Sequence, residues 1–234
     1  MYSWSFRYTD KLNNVSETII EQIHHTFLNG FSLKQGWSLE GIKYTLRNSN
    51  VIGFLTNKKH AHIIEGYAFY SIPSAKLYET HVLWEDAICL KKYLQGKGLA
   101  SFRVLLKEME CLIQDKTIGW LGGRTQNPVV LARYAKLGTL YPIDVRYTDK
   151  IGRNIIKFLL KNINEVKEIQ ARLEHDTGIC RNFYSEGKLG DYPTTGETAK
   201  QFEPLLQQWR FNRSAGDALI AIVRLNKPIE GTTT

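Results

Sequence analysis

Gln95-Gly96-Lys97-Gly98-Leu99-Ala100 (QGKGLA) stands between a β-rich run, His81–Leu90, and a stretch, Gly98–Ile113, with apolar residues three and four apart. Two glycines at such a junction let the backbone turn sharply. They bring several N–H groups, with the dipole of the following helix, toward one anion such as a pyrophosphate. The segment is neither a GxxxxGK[ST] loop nor a GxGxxG fingerprint. Taken alone, a two-glycine turn before a helix is more often plain structure.

Working outward, the helix predicted over Gly98–Ile113 presents Leu99, Phe102, Leu105, Leu106, Met109 and Leu112 on one face. A strand at Ile118–Leu121 and a short helix at Val129–Leu137 closed by Gly138 follow. Upstream, Val51–Leu55, Ile63–Ile72 and His81–Leu90 read as an antiparallel meander. Before them come an alternating strand at residues 2–8, a helix capped by Ser16 and ended by Gly30, and a helix over Ser38–Arg47 with Leu39, Ile42 and Leu46 on one face. Downstream the pattern predicts a long helix carrying Ile151, Ile155, Phe158, Leu159, Asn162, Val166, Ile169 and Leu173, then a loop over Gly178–Pro193. A helix over Ala199–Trp209 and a buried strand over Asp217–Leu225 complete it, with the last three threonines frayed.

A second motif gives the first its meaning. Asn127-Pro128 opens NPVVLARYAKLG, with Tyr134 seven residues after Asn127 and Gly138 four after Tyr134. Some thirty residues, enough for one helix and one strand, separate it from QGKGLA. Together the two segments resemble the GNAT superfamily of N-acetyltransferases, in which a Q/R-x-x-G-x-G/A turn is followed by an Asn, a helix and a Y-x-K-x-G pattern. Gln95, Gly98 and Ala100 fall on the fixed places of the first. The resemblance covers residues 51–138 well and 2–50 more loosely, and it does not explain residues 145–210. It implies a mixed-sheet α/β acyl-CoA N-acyltransferase fold with a mainly helical insertion or extension. The expected division is a core at 1–144, a helical segment of unknown role at 145–210, and a last core strand with the tail at 211–234.

By that resemblance the chain is an enzyme moving an acetyl or short acyl group from acyl-CoA to an amine by direct attack, without a metal. The backbone of Gln95, Gly96, Lys97, Gly98, Leu99 and Ala100 would hold the CoA pyrophosphate. The backbone near Cys89 and Leu90 would hold the thioester carbonyl, where oriented N–H groups stabilise developing oxyanion charge. Tyr134 would protonate the departing thiolate as general acid. Asn127 would contact the cofactor, or simply cap the helix that Pro128 begins. The attacking amine must be neutral, and Glu85 is the preferred base, with Asp86, Glu79 and His81 as further candidates. Arg124 and Lys97 are basic enough to meet phosphates. Arg181, Tyr184 and Tyr192 mark the Gly178–Pro193 loop as a candidate substrate lid, with a structural corner as the equal alternative.

Composition narrows the alternatives. The 234 residues are 43% hydrophobic and 23% charged, as in a globular protein, and no apolar run reaches the length of a membrane span. The N-terminus lacks a secretory pattern, so a cytoplasmic setting is expected. Cys89, Cys111 and Cys180 form no metal or disulfide framework, His60 and His62 lack a third ligand, and His24 and His25, adjacent on a helix, cannot face one ion together. The net charge of +8 is not gathered into one block of sequence. No nucleic-acid partner is expected, except an aminoacyl-tRNA as the amine acceptor. A homodimer is left open, and the alternative to an enzyme is an inactive CoA-binding or protein-interaction module.

Overall fold

The computed structural model describes residues 1–8, 15–109, 112–113, 116–185, 187–190 and 197–230. It has a mixed α/β fold in two compact units, one formed by Met1–Ile72, Glu85–Thr117 and Ile229–Thr234, the other by Pro73–Trp84 and Ile118–Pro228.

In the first unit, β1 (Tyr2–Tyr8), α1 (Glu17–Phe31), α2 (Leu39–Asn48), β2 (Val51–Asn57) and β3 (His60–Ser71) precede β4 (His81–Leu90), whose last six residues belong here, and α3 (Phe102–Met109). The strand order is β1-β2-β3-β4. β1 pairs antiparallel with β2, Tyr2 opposite Asn57, and β2 pairs antiparallel with β3, Val51 opposite Tyr70. Both long helices start where a serine can accept an orphan amide: Ser16 from Ile19 and Ser38 from Gly41. Ile20 and Ile23 of α1, Ile42 and Leu46 of α2, and Val51, Leu55, Tyr67 and Phe69 of the sheet form the interior. Each such side chain contributes about 1.5–3 kcal/mol by leaving water. Thr26 donates to the carbonyl of Ile64 at 3.1 Å, and Gln22 accepts from its amide at 2.8 Å, which fixes α1 on β3.

In the second unit, β5 (Thr117–Thr125, from Ile118 on), α4 (Pro128–Ala135) and β6 (Gly138–Tyr141) are followed by α5 (Lys150–Asn162), α6 (Asn164–Glu168), β7 (Ile179–Cys180), α7 (Glu197–Lys200), α8 (Glu203–Gln208) and β8 (Ala218–Glu230, as far as Pro228). The order is β4-β5-β8-β6, with β7 on β8. β6 and β7 both run antiparallel to β8, Gly138 opposite Leu225 and Ile179 opposite Leu219. Trp84, Trp120 and Tyr147 pack with Ile155, Leu159, Val166, Ile220 and Ile222, so the segment at 145–210 shares the core of this unit.

Several sequence expectations need correction. The helix after the glycine turn starts at Phe102, because Gly96 and Gly98 both adopt positive φ, at 75° and 74°. Gly30 lies inside α1, and Ser32 takes the left-handed position that ends it. The need for glycine at 30 is steric: a Cβ there would run into the Cys89 thiol and sit 2.6 Å from the Leu90 carbonyl. Gly138 does not close α4 but opens β6, where a Cβ would strike the Arg224 carbonyl.

The long helix beyond residue 144 breaks at Ile163, whose φ and ψ of −105° and 111° are extended, and the helix expected over Ala199–Trp209 is two pieces, α7 and α8. Leu39 and Ile151, expected on apolar faces, are 37% and 42% exposed. β6 and β7 were not foreseen. Cys89 and Cys180 are buried free thiols, as expected, while Cys111, Tyr192, Pro193 and the threonine tail lie outside the described residues.

Candidate acyl-CoA site

The approach to the glycine turn is held from below. After Leu90 the chain makes a 3-10 turn over Lys92–Leu94. The Lys91 amide donates to the Glu65 carbonyl at 3.0 Å, the Lys91 ammonium lies 3.0 Å from the Glu65 carboxylate, and the Tyr93 hydroxyl donates to the same carboxylate at 2.6 Å. Burial, and then the bond to Glu65, push the Tyr93 phenol well above its ordinary range. Asn29, at the end of α1, accepts from the Lys92 amide at 2.9 Å, and the Lys92 ammonium donates to Ser32 at 2.9 Å.

The turn is clamped at both ends. The Gln95 side-chain Nε2 donates to the carbonyls of Gly30 at 2.8 Å and Leu90 at 2.9 Å. The Trp4 indole donates to the Leu99 carbonyl at 2.8 Å. Between these clamps a Cβ at Gly96 or Gly98 would meet nothing within 4 Å. Among the described residues the amides of Gly96, Lys97, Gly98 and Leu99 donate to no backbone or side-chain acceptor, and the first three residues are exposed. Four consecutive N–H donors on an immobilised glycine turn are what an oxyanion of a phosphate requires. Gln95 and Ala100, also expected to hold the pyrophosphate, flank these four, and the expectation for Gln95 is corrected: its backbone amide already donates to the Lys92 carbonyl at 3.2 Å, closing the 3-10 turn.

Cys89 and Leu90 stand at the end of β4. The Cys89 thiol contacts the carbonyls of Thr26 and Leu90, each at 3.6 Å, and burial pushes it up to about 12, so the side chain is packing rather than a nucleophile. Glu85 and Asp86 alternate along the strand. Asp86 accepts from Ser49 at 2.8 Å and Ser71 at 2.6 Å, which joins the end of α2 to β3, and Glu85 is buried at 7% exposure. His81 holds the carbonyl of Pro73 at 3.2 Å, which gives it a structural partner.

In the second unit, Asn127 caps α4: its side chain accepts from Val129 at 2.9 Å, and Pro128 occupies the first turn. The preceding Gln126, not singled out in the sequence, is buried and donates to the carbonyls of Gly187 and Arg213 while accepting from the Leu189 amide. Tyr134 is buried on α4, at 1% exposure, with the Arg133 guanidinium 5.5 Å from its ring centre. Arg124, expected as an exposed cation for phosphate, is instead committed: it pairs with Glu165 at 2.5 Å and lies 5.0 Å over the Phe183 ring. Trp84 donates to the other oxygen of Glu165 at 3.3 Å, and burial holds that carboxyl above its usual range despite the guanidinium.

The Gly178–Pro193 loop is strapped down where it is described. Arg181 bonds Glu174 at 2.7 Å, Asp217 at 2.6 Å and the carbonyls of Trp209 and Arg210, and the Tyr184 amide donates to the Gly216 carbonyl. Those contacts make residues 181–184 a structural corner. Among the described residues there is no cluster of metal-ligating side chains, and no helix is long and apolar enough to cross a membrane. His60 and His62 are exposed, their rings 6.4 Å apart.

No family model matches this chain, and neither does any curated protein. Solved structures do resemble it. The ribosomal-protein-S18-alanine N-acetyltransferase from Escherichia coli is 15% identical, with 60% of this chain and 81% of that one covered at a TM-score of 0.40. NAA60 from Arabidopsis thaliana in complex with acetyl-CoA is 11% identical over 57% and 84%, with a TM-score of 0.38. The NatC complex bound to Gag peptide and CoA gives 13% over 58% and 83%, with a TM-score of 0.41. The likeness is to N-acetyltransferases. At these values it transfers no substrate and no residue role.

Proposed function

We propose that this chain binds acetyl-CoA, or another short acyl-CoA, and transfers the acyl group to an amine in the manner of GNAT enzymes. The observation that supports this reading most directly is the clamped turn, where Gln95 and Trp4 fix the ends and four successive amides have no acceptor among the described residues. The QGKGLA and NPVVLARYAKLG pattern adds the class of ligand.

In this reading the amides of Gly96 to Leu99 hold the pyrophosphate, and the backbone at Cys89 and Leu90 meets the thioester carbonyl. The amine nitrogen attacks that carbonyl, the carbon–sulfur bond breaks, and Tyr134 supplies the proton that the leaving thiolate takes up. Glu85 accepts the proton lost by the amine. Asn127 positions α4 and with it Tyr134. Residues 145–210 are a helical elaboration of the core whose apolar side completes the second unit.

Calorimetric titration with acetyl-CoA and, separately, with CoA tests the reading. Micromolar binding of both, followed by amine-dependent thiol release, supports it. Binding without release for any amine favours the inactive module, and no binding of either ligand rejects the assignment.

A further inference from the structure

The net charge of +8 is scattered along the sequence, but folding aligns part of it. On α5, Lys150, Arg153, Lys157 and Lys161 are all exposed, and no residue of the helix is acidic. At 100° per residue these four fall within about 80° of arc, and at 1.5 Å per residue the row is about 16 Å long. The opposite side, Gly152, Ile155, Ile156 and Leu159, is buried in the second unit.

Among the described residues none of the four forms an ion pair. Among those residues Asp149, the acid next to the row in sequence, is not paired with it, and the Arg153 guanidinium donates to the carbonyl of Thr148. Leaving four aligned cations without acids is costly for the isolated protein, since like charges at helical spacing repel. A polyanion relieves that repulsion.

We infer that α5 is a docking surface for the phosphate backbone of a nucleic acid. The row is narrow and linear, and over about 16 Å a DNA strand presents about five phosphates at 3.4 Å each. An anionic membrane fits less well. Helices that lie on membranes insert an apolar face, and here that face is already taken by the protein interior. The surface is independent of the acyl-CoA reading and stands if that reading fails.

The test is fluorescence anisotropy of the full chain against labelled duplex DNA, duplex RNA and phosphatidylserine vesicles over a salt series. Variants are K150Q/R153Q/K157Q/K161Q, a version that keeps Arg153, and a control, K58Q/K59Q, on the exposed β2–β3 turn. Four phosphate contacts predict that duplex DNA affinity falls about 100-fold between about 50 and 200 mM salt. The quadruple variant should lose most of that dependence, its logarithmic slope becoming shallower by about 3 to 4, and the Arg153-retaining variant by about 3. The control should match the parent, and acetyl-CoA affinity should not change in any variant. Equal slopes in parent and α5 variants, binding to vesicles alone, or no duplex binding at low salt would each overturn the inference.

Discussion

The indole nitrogen of Trp4 donates to the carbonyl of Leu99 across 95 positions of sequence, so the first strand of the chain holds the far end of the glycine turn. One partly buried hydrogen bond of this kind contributes about 1 kcal/mol. Trp4→Phe keeps an aromatic ring, though a smaller one, and removes the donor. It should weaken acetyl-CoA binding about fivefold by calorimetry, and an unaltered affinity would mean that this clamp does not shape the cradle.

Gly98 sits at φ 74° with open space where a side chain would begin. Gly98→Val therefore meets no clash, but it forces a β-branched residue into a conformation that costs about 1–3 kcal/mol, and the turn responds by changing shape. Acetyl-CoA binding should fall below detection while circular dichroism stays native. Retained micromolar binding would sink the pyrophosphate assignment.

Tyr134→Phe removes one hydroxyl from a buried ring. With an amine that supports turnover, thiol release should drop about 100-fold, the low end for a lost general acid, while acetyl-CoA affinity stays within about twofold. A rate equal to that of the parent removes Tyr134 from the chemistry.

Cys89 gives a pH prediction. Its folded-state value is raised from 9.0 to about 12, so the protonated thiol favours the folded chain. That contribution is complete below pH 9.0 and is lost as pH climbs through the folded-state value of about 12. Urea titrations between these limits should show parent stability declining more steeply with pH than that of Cys89→Ala. In the native protein near pH 8, alkylating reagents should label Cys89 only once denaturant is added; rapid native labelling would contradict its burial.

Arg124→Leu separates two roles for that cation. Its removal leaves Glu165 largely buried without its guanidinium, a loss of about 3 kcal/mol, read as a lower urea midpoint. Acetyl-CoA affinity should be unchanged, whereas a phosphate ligand lost would show as weaker binding with unchanged stability.

Local signals carried much of the architecture. Ser16 and Ser38 announced α1 and α2 because a cap is a contact between neighbours in sequence. β4 is bounded at His81 and Leu90 because Val82, Leu83, Trp84, Ile88 and Leu90 make a β-rich stretch on both sides of Glu85 and Asp86. The errors came where distant partners decide. Gly138 looks like a helix stop, but its role is set by the Arg224 carbonyl, and the break at Ile163 interrupts an apolar periodicity that would suit one long helix.

The same division runs through the candidate site. QGKGLA is readable as a turn, yet its clamps, Gly30 and Trp4, lie 65 and 95 positions away and carry no motif. Arg124 looked available because Glu165, its partner, belongs to the segment that the family pattern leaves unexplained. The α5 row escaped notice because its four cations are diluted by nine other residues until the helix winds them onto one side.

Position 30 sets a rule for protein engineering. The atoms that exclude a side chain there are a thiol, which substitution at Cys89 can shrink, and the Leu90 carbonyl, which no substitution can. A mutagenesis library that varies Cys89 against a fixed Gly30 samples packing, while one that varies position 30 yields mainly misfolded chains. Screening for altered acceptor choice should therefore leave that codon untouched.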